Sequence, residues 1–208
     1  MNNFDSKEEL YFSWWLNDLV EREIVKSYEH KPRTFTLSEQ RQFFELKPVK
    51  QRKGTEEMLI KNIPHTLLQP CTYTPDFLIN WNFDTFVGVD HTRNLFIKSF
   101  PYVQQFEKKA LFYAYATTLI PPTCHSYIDV KGDVSIRVAG NQTSTVVFPV
   151  KQKWAYQRYG IYINSIKVPS LFPKTFTPKR YLLTDITEKE RKINFEVRTL
   201  NEFLKQDT

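Results

Sequence analysis

The sequence is short of residues on which several common protein classes depend. Only five of its 208 residues are glycine, which argues against a low-complexity, disordered chain. Its two cysteines, Cys71 and Cys124, form neither a Cys-x-x-Cys motif nor a zinc pattern with histidine. No apolar run approaches the roughly 20 residues that cross a bilayer, and residues 1–5 lack the character of a signal peptide. We therefore expect an intracellular protein with two buried, reduced thiols and no membrane partner.

Aromatic and basic residues are well represented. The 17 phenylalanines, 11 tyrosines and 4 tryptophans can fill a sizeable core, and 208 residues suffice for one large domain. The formal net charge is +6, which fits a polyanionic partner such as nucleic acid but is shared by many other proteins. Because no internal repeat and no flexible linker interrupt the chain, we expect residues 1–208 to form a single elaborated domain.

Residues 6–28 have the pattern of a first helix. Ser6 is a suitable N-cap, and Glu9, three residues on, completes the spacing of a capping box. Four apolar residues follow at helical intervals: Phe12, Trp15, Leu16 and Leu19. Glu8 and Glu9 lie at the head of this stripe, so either can face inward. For Glu9, the spacing favours a helix cap over a carboxylate that the helix contributes to a site.

Two short β-type runs, residues 73–79 and 127–132, each carry an acid among apolar residues. In the second run, Asp129 and Lys131 are two residues apart, so on a strand they project from the same face. If the runs pair, Asp76 from the first run joins them at one point of a sheet. Two carboxylates and an ammonium group suit a divalent metal and a water that attacks a phosphodiester. The alternative is a turn residue and an exposed ion pair worth at most ~1 kcal/mol.

Between the two acidic runs the chain is much longer than a hairpin requires. Residues 83–125 therefore read as an insert with a structure of its own. Pro101 suits a first helical turn, and the apolar residues after it predict a helix over 101–119. Whether this helix packs on the domain, extends a substrate cleft or forms an interface stays open.

The remaining segments predict a mixed α/β sheet, because a strand, a hairpin, a helix and another strand follow one another. In chain order they are a charged, turn-rich connection at 47–56, a hairpin at 133–150, a helix at 150–160 that ends on a glycine, a buried strand at 161–164, and a basic extension over 170–208 with a short helix from Thr199.

The pattern Pro75-Asp76 followed by Asp129-Val130-Lys131 resembles the PD-(D/E)xK nuclease superfamily. It is similar in particular to the phage endonuclease I type of Holliday-junction resolvase and to TnsA-like phage nucleases, which carry Ser-x-x-Glu, Tyr-Thr-Pro-Asp-Phe and Glu-x-Lys-Gly motifs. The counterparts here are residues 6–9, 73–77 and 129–132. The segment 152–156 also looks like the Gln-x-x-x-Tyr motif of RecB-like members. The chain departs from the pattern in having aspartate at 129 and in its long insert, which leaves the substrate type open.

The resemblance implies a restriction-endonuclease-like mixed β-sheet flanked by helices. It also implies a Mg²⁺-dependent deoxyribonuclease, with Mn²⁺ as a substitute, that acts on branched or structured DNA. Glu9, Asp76, Asp129 and the carbonyl of Val130 would be the metal ligands, which reverses the preference for Glu9 as a mere cap. Lys131 would orient or help deprotonate the attacking water, or stabilise the charge on the phosphate, and would complete the catalytic set with the three acids.

The resemblance further implies that Gln152 and Tyr156 hold the active-site face and the DNA backbone, with Lys151 and Lys153 as phosphate contacts. A phage-type enzyme would work in the cytoplasm of a bacterial host. A homodimer would suit a substrate with two-fold symmetry. Two alternatives stay open: a catalytically inactive nuclease-fold protein that binds DNA or a protein as an accessory factor, and an RNA-processing nuclease.

Overall fold

The computed structural model describes residues 4–50, 58–82, 97–99, 112–117, 123–132, 143–184 and 186–205. Its helices and strands are, in chain order, α1 (Lys7–Glu21), β1 (Val25–His30), β2 (Phe35–Ser38), β3 (Arg41–Lys50), β4 (Met58–Leu68), β5 (Cys71–Tyr73), β6 (Phe77–Trp81), β7 (Ile97–Ser99), β8 (Phe112–Thr117), β9 (Thr123–Lys131), α2 (Thr143–Tyr159), β10 (Ile163–Lys167), α3 (Val168–Leu171) and α4 (Leu200–Lys205). Within these ranges no helix is long and apolar enough to cross a membrane.

Contacts divide the chain into two compact units: Met1–Arg33 with Pro75–Thr208, and Thr34–Thr74. The sequence analysis expected a single domain and did not distinguish residues 34–74 as a separate unit. In the first unit the described strands form a sheet in the order β1-β6-β9-β8-β7, with β10 alongside β9. β9 is antiparallel to β6 and β8 and parallel to β10. This is, in general outline, the mixed α/β sheet that the sequence predicts; its nuclease-type details stay a prediction.

The two acid-bearing runs pair as predicted. β6 is antiparallel to β9, with Phe77 opposite Ile128. The first run is not one continuous strand, however, because β5 ends at Tyr73 in the second unit and β6 begins at Phe77 in the first. Pro75 falls in this break, where its missing N–H disturbs no strand pairing. Asp76 is therefore the residue that leads into β6.

The start of α1 confirms the capping box. The Ser6 hydroxyl accepts a hydrogen bond from the Glu9 backbone N–H at 3.1 Å. The four stripe residues are fully buried: Phe12, Trp15, Leu16 and Leu19. The prediction of a helix to residue 28 is wrong, because α1 ends at Glu21, Glu23 has a φ of 57° and β1 then pairs with β6. Hydrogen bonds to a neighbouring strand override the local helical pattern here.

The insert contains strands where the sequence predicts a helix. β8 pairs with β9 at one edge and with β7 at the other. Phe112 and Ala114, two residues apart, are both fully buried, which is the period of a strand rather than of a helix. The predicted helix over 101–119 is therefore wrong at residues 112–117. Residues 101–111 and 118–119 lie outside the described ranges.

α2 is longer than predicted. Residues 143–150 belong to this helix and not to the hairpin predicted over 133–150, while residues 133–142 lie outside the described ranges. Its β-branched threonines and valines favour a strand locally, and the tertiary environment overrides that preference. The predicted end is confirmed, since Gly160 has a φ of 66° and its N–H donates to the Tyr156 carbonyl at 2.8 Å.

The segments after α2 follow the predictions in part: the strand predicted at 161–164 is β10, which begins at Ile163 and continues to Lys167, α3 was not predicted, and the helix predicted from Thr199 is α4. β10 contains buried Ile163 and Asn164, as expected of a buried strand. The short C-terminal helix begins with a reciprocal cap, in which the Thr199 N–H donates to the Glu202 carboxylate at 2.8 Å and the Glu202 N–H donates to the Thr199 hydroxyl at 3.2 Å. Phe203 from this helix belongs to the hydrophobic core.

The second unit consists of two antiparallel strand pairs, β2 with β5 and β3 with β4. β3 includes residues 47–50, where the sequence predicts a turn-rich connection, so that prediction is wrong over these residues. Pro48 lies opposite Ile60 in the ribbon, and a proline is tolerated there because both strands of a two-stranded ribbon are edge strands. Residues 51–57 lie outside the described ranges.

Candidate active site

Asp76 is held by three hydrogen bonds at the start of β6. Its backbone N–H donates to the Ile128 carbonyl at 2.9 Å, and its carbonyl accepts the Lys31 N–H at 2.8 Å. Its Oδ2 atom accepts the Val130 N–H at 2.6 Å. The main chain of Asp76 is thus tied to β9 and to the end of β1. The carboxylate is directed at the C-terminal end of β9, where the other predicted acid lies.

Asp129 and Lys131 form an ion pair at that end of β9. The Lys131 Nζ atom lies 2.5 Å from the Asp129 Oδ2 atom. The ammonium group also lies 4.5 Å from the centre of the Phe148 ring of α2, a cation–π contact. The Asp129 residue is only 6% exposed, so the alternative of a solvent-exposed strand pair does not describe it.

Glu9, rather than Glu8, faces the interior: Glu9 is buried and Glu8 is half-buried. The Glu9 Oε1 atom accepts the Ser6 hydroxyl at 3.0 Å. Its Oε2 atom lies 2.8 Å from the His30 Nε2 atom and accepts the Asp5 backbone N–H at 3.3 Å. Glu9 therefore takes part in the helix start, which confirms the cap, and its carboxylate is buried. Its role as a metal ligand stays a prediction.

The charges of these groups meet at Asp76. Burial raises the pKa of Asp76 from 3.8 to about 6, and repulsion by Asp129 and Glu9 raises it as well. The hydrogen bond from the Val130 N–H and the positive charge of Lys131 act in the opposite direction and lower it. The pKa of Lys31 is raised by its hydrogen bond with Asp5 and by attraction to Glu9 and Asp76. Three acids from α1, β9 and the start of β6 thus interact within the first unit, partly balanced by two lysines.

The oxygen atoms of these residues are of the chemical type that a hard divalent cation prefers. Carboxylate and carbonyl oxygens are the ligands that Mg²⁺ prefers, and Asp76, Asp129 and Glu9 supply three carboxylates. Within one residue of a strand the N–H and C=O point to the same side, so the Val130 carbonyl faces the side on which its N–H meets Asp76. Among the described residues, no three His, Cys, Asp or Glu side chains are arranged closely enough to hold a metal ion.

Comparison with protein-family models, curated proteins and solved structures gives no match.

The α2 residues predicted to contact DNA have different surroundings. Lys151 and Gln152 are half-buried, whereas Lys153 and Tyr156 are exposed. The Gln152 side-chain amide donates to the Ile163 carbonyl at 2.6 Å, which ties α2 to β10. Phosphate contacts by Lys151 and Lys153 stay a prediction, as does the role of Gln152 and Tyr156 in holding the active-site face and the DNA backbone.

Three residues of the site escape the sequence reasoning: His30, Lys31 and Phe148. His30 and Lys31 lie at the end of β1, which the sequence assigns in part to the first helix, so the face on which each residue lies was not readable. Phe148 lies in the part of α2 that the sequence assigns to a hairpin. A strand prediction for residues 25–30 would have placed His30 next to the start of β6 and would have made it a candidate.

Proposed function

We propose that this protein is a metal-dependent DNA endonuclease that hydrolyses phosphodiester bonds in branched or structured DNA. The observation that carries the proposal is the pairing of β6 with β9, which joins the Asp76 carboxylate to the Val130 N–H at 2.6 Å. That pairing lies beside the buried Asp129 and its partner Lys131. An acid before one strand and an acid–x–lysine at the end of its partner match the motif order of the PD-(D/E)xK superfamily.

In this proposal Asp76, Asp129, the Val130 carbonyl and Glu9 would hold Mg²⁺, or Mn²⁺ in its place, and the three carboxylates would have to draw closer together than they lie in the structure. When bound, the ion lowers the pKa of a coordinated water and offsets charge on the scissile phosphate. Burial is the main cause of the raised pKa of Asp76, and repulsion by Asp129 and Glu9 adds to it. A bound cation would favour the ionised carboxylate against both effects.

The protein's own groups position the substrate. Lys131 lies between the Asp129 carboxylate and the Phe148 ring, so its ammonium group is directed and partly desolvated. It can donate hydrogen bonds to the attacking water or to a phosphate oxygen. Lys151 and Lys153 of α2 can contact neighbouring phosphates, which agrees with the net charge of +6.

The proposal is tested by a cleavage panel of linear, flapped and four-way DNA with Mg²⁺, Mn²⁺ or EDTA. The variants are Asp76→Asn and Asp129→Asn, which keep the shape of each side chain. Asp18→Asn is the matched control, because Asp18 is an acid of α1 whose pKa is raised mainly by burial but which lies outside the proposed ligand set. Wild type and the control should cut with metal, and the two site variants should not. Intact DNA in every wild-type reaction would refute the proposal.

A second candidate function is DNA or protein binding without catalysis. One observation favours it: each acid is already engaged, Asp129 by Lys131, Glu9 by His30 and Asp76 by Val130. An accessory protein of this kind would bind DNA in a salt-dependent way that is unchanged by EDTA and by Asp76→Asn. Matched RNA substrates in the same panel test the RNA-processing alternative, and sedimentation with a four-way junction tests for a dimer.

A further inference from the structure

The strand β10 places a second lysine beside the proposed site. In the parallel pairing of β10 with β9, Lys167 lies opposite Lys131. Neighbouring strands are about 4.8 Å apart, and residues that lie opposite each other project from the same face of a sheet. Val130 and Ile166, one residue earlier in each strand, also lie opposite each other and belong to the hydrophobic core. The two lysines therefore share the other face of the sheet, the face that carries Asp129.

This face opens to solvent towards the end at which the two lysines lie. Tyr127 and Ile163, which lie opposite each other on it, are both buried. Further along the same face, Ser165 and Lys167 of β10 are exposed, and the Lys131 side chain is 31% exposed. A ligand that approaches the ion pair of β9 over this end of β10 therefore meets Lys167.

The charges at this end of the two strands are unequal. Like charges that lie opposite each other in a sheet are destabilising. Asp129 pairs with Lys131 and offsets one of the two positive charges, whereas Lys167 forms no ion pair with any described residue. The positive charge of Lys167 thus stays available to an anionic group of a ligand.

Lys131 by itself is poorly placed to hold a phosphate. A phosphate at its ammonium group also lies close to the Asp129 carboxylate, which repels it. Asp76 adds a second carboxylate on the β6 side of β9, and β10 adjoins β9 on the opposite edge. A lysine on β10 therefore supplies positive charge on the side of Lys131 that faces away from Asp76.

We propose that Lys167 binds the DNA backbone next to the phosphate that Lys131 meets. The inference rests on the proposed function and deepens it, because it adds the end of β10 to the surface that holds the substrate. A lysine ammonium group has three donors and no acceptor, and it binds phosphate as a point charge. Contacts to phosphate carry no sequence information, so the contribution of Lys167 should be equal on unrelated sequences.

The rival explanation is that Lys167 is only a solvated lysine at the end of a strand. Lys167→Gln removes the charge, whereas Lys167→Arg keeps it. Neither change removes a helix cap, because the Lys167 side chain makes no capping hydrogen bond to α3. Lys61→Gln is the matched control. Lys61 is an exposed strand lysine of the second unit that lies opposite Lys47, which pairs with Glu45, so its local arrangement is the same.

The measurement is DNA binding in EDTA by fluorescence anisotropy between 50 and 200 mM salt. The probe is whichever of linear, flapped and four-way DNA binds wild type best, made in two unrelated sequences. The loss of one phosphate contact should make the slope of log K against log salt shallower by about 0.9. We expect this change for Lys167→Gln, with about tenfold weaker binding at 50 mM salt on both sequences. Lys167→Arg and Lys61→Gln should keep the wild-type slope.

The outcomes separate this inference from the proposed function, which the cleavage panel tests independently. If wild type binds no DNA in this assay, or if Lys167→Gln keeps the wild-type slope, the inference is refuted whatever the cleavage result. An equal loss in Lys61→Gln refutes it as well, since the contact would then not belong to the end of β10. If the slope changes as expected but wild type cuts no DNA, the backbone contact stands and the catalytic proposal falls.

Discussion

Two acid–x–lysine pairs on strands, one in each unit, have opposite surroundings. In β9, Asp129 and Lys131 meet at 2.5 Å with side chains 8% and 31% exposed. In β3, Glu45 and Lys47 meet at 2.9 Å with side chains 43% and 49% exposed. Glu45-Leu46-Lys47 has the glutamate that the nuclease motif more commonly carries, yet it precedes Asp76 in the chain. The motif letters alone therefore do not identify the site; the paired strand, the order and the burial do.

The strands that carry the two pairs differ in the same way. Residues 126–130 of β9 are all buried, and β9 has neighbours on both edges. The ribbon of β3 and β4 exposes large apolar side chains, among them Phe44, Leu46 and Ile60. Asp129 in β9 is thus close to other acids in a poorly solvated place, whereas Glu45 is partly exposed and pairs with Lys47 and His65. A reaction that needs a group with a shifted pKa is therefore expected at β9 and not at β3.

The largest expected difference concerns the stability that a buried ring of β6 and an exposed ring of β3 contribute. Phe77→Ala removes a fully buried ring that packs on Phe12 at 5.2 Å, and should lower the free energy of unfolding by about 3–5 kcal/mol. Phe44→Ala removes a ring that is 61% exposed, and should change it by about 0.5 kcal/mol or less. Urea unfolding followed by circular dichroism measures both. Similar losses in the two variants would show that the ribbon is covered in solution.

The next prediction compares the two lysines. Lys131→Met should lower the cleavage rate by about 10²–10³-fold, because it removes a directed donor from the reacting groups. Lys47→Met removes a lysine with the same spacing to its acid and should leave the rate unchanged. Single-turnover cleavage of the substrate that wild type cuts best is the readout, with circular dichroism to verify folding. Equal losses would mean that both pairs serve the reaction and would break the contrast between them.

Predictions succeed where nearby residues decide the structure and fail where residues far along the chain decide it. The pairing of β6 with β9 could be anticipated because each run carries an acid among apolar, β-type residues. The start of α1 was predictable because Ser6 and Glu9 form a local cap. The end of α1 and the strand β8 were not, since partner strands far along the chain decide them. His30 was missed for the same reason: its contact with Glu9 depends on α1 and β6 meeting, and nothing within β1 encodes that.

A third prediction uses the pH dependence of the two acidic environments. Folding raises the pKa of Asp76 from 3.8 to about 6, so the folded protein holds that proton more tightly than the unfolded chain does. The free energy of unfolding of the metal-free protein should therefore fall as the pH rises between these values, by up to about 3 kcal/mol. Urea unfolding in EDTA from pH 4 to 8 should show this fall in wild type and a smaller one in Asp76→Asn.

The pKa of Glu45 is shifted in the opposite direction to that of Asp76. Its hydrogen bond with Lys47 lowers its pKa, so its contribution to stability is present at neutral pH and is lost as the pH falls through the lowered pKa. Glu45→Gln should leave the fall between about pH 5 and 6 as it is in wild type, and it should affect the curve only at lower pH, where the opposing contribution of Glu45 is lost. If wild type and Asp76→Asn gave parallel curves, the acids of the first unit would not interact as their positions indicate.

The smallest expected effect concerns the two cysteines. Cys71 reports on β5, and Cys124 reports on β9. Burial raises the pKa of Cys124 to about 12, whereas Cys71 of β5 is only partly buried, so the expectation that both thiols are buried holds for Cys124 alone. At pH 8 a thiol with a pKa near 12 is thiolate in only about one molecule in 10⁴. Iodoacetamide should therefore label Cys71 in the folded protein and both thiols in urea, as counted by mass spectrometry, and Cys71→Ser should remove the folded-state label. Equal labelling rates in the folded protein would mean that the start of β9 opens to water as readily as β5. The low exposure that distinguishes the Asp129–Lys131 pair from its counterpart in β3 would then not persist in solution.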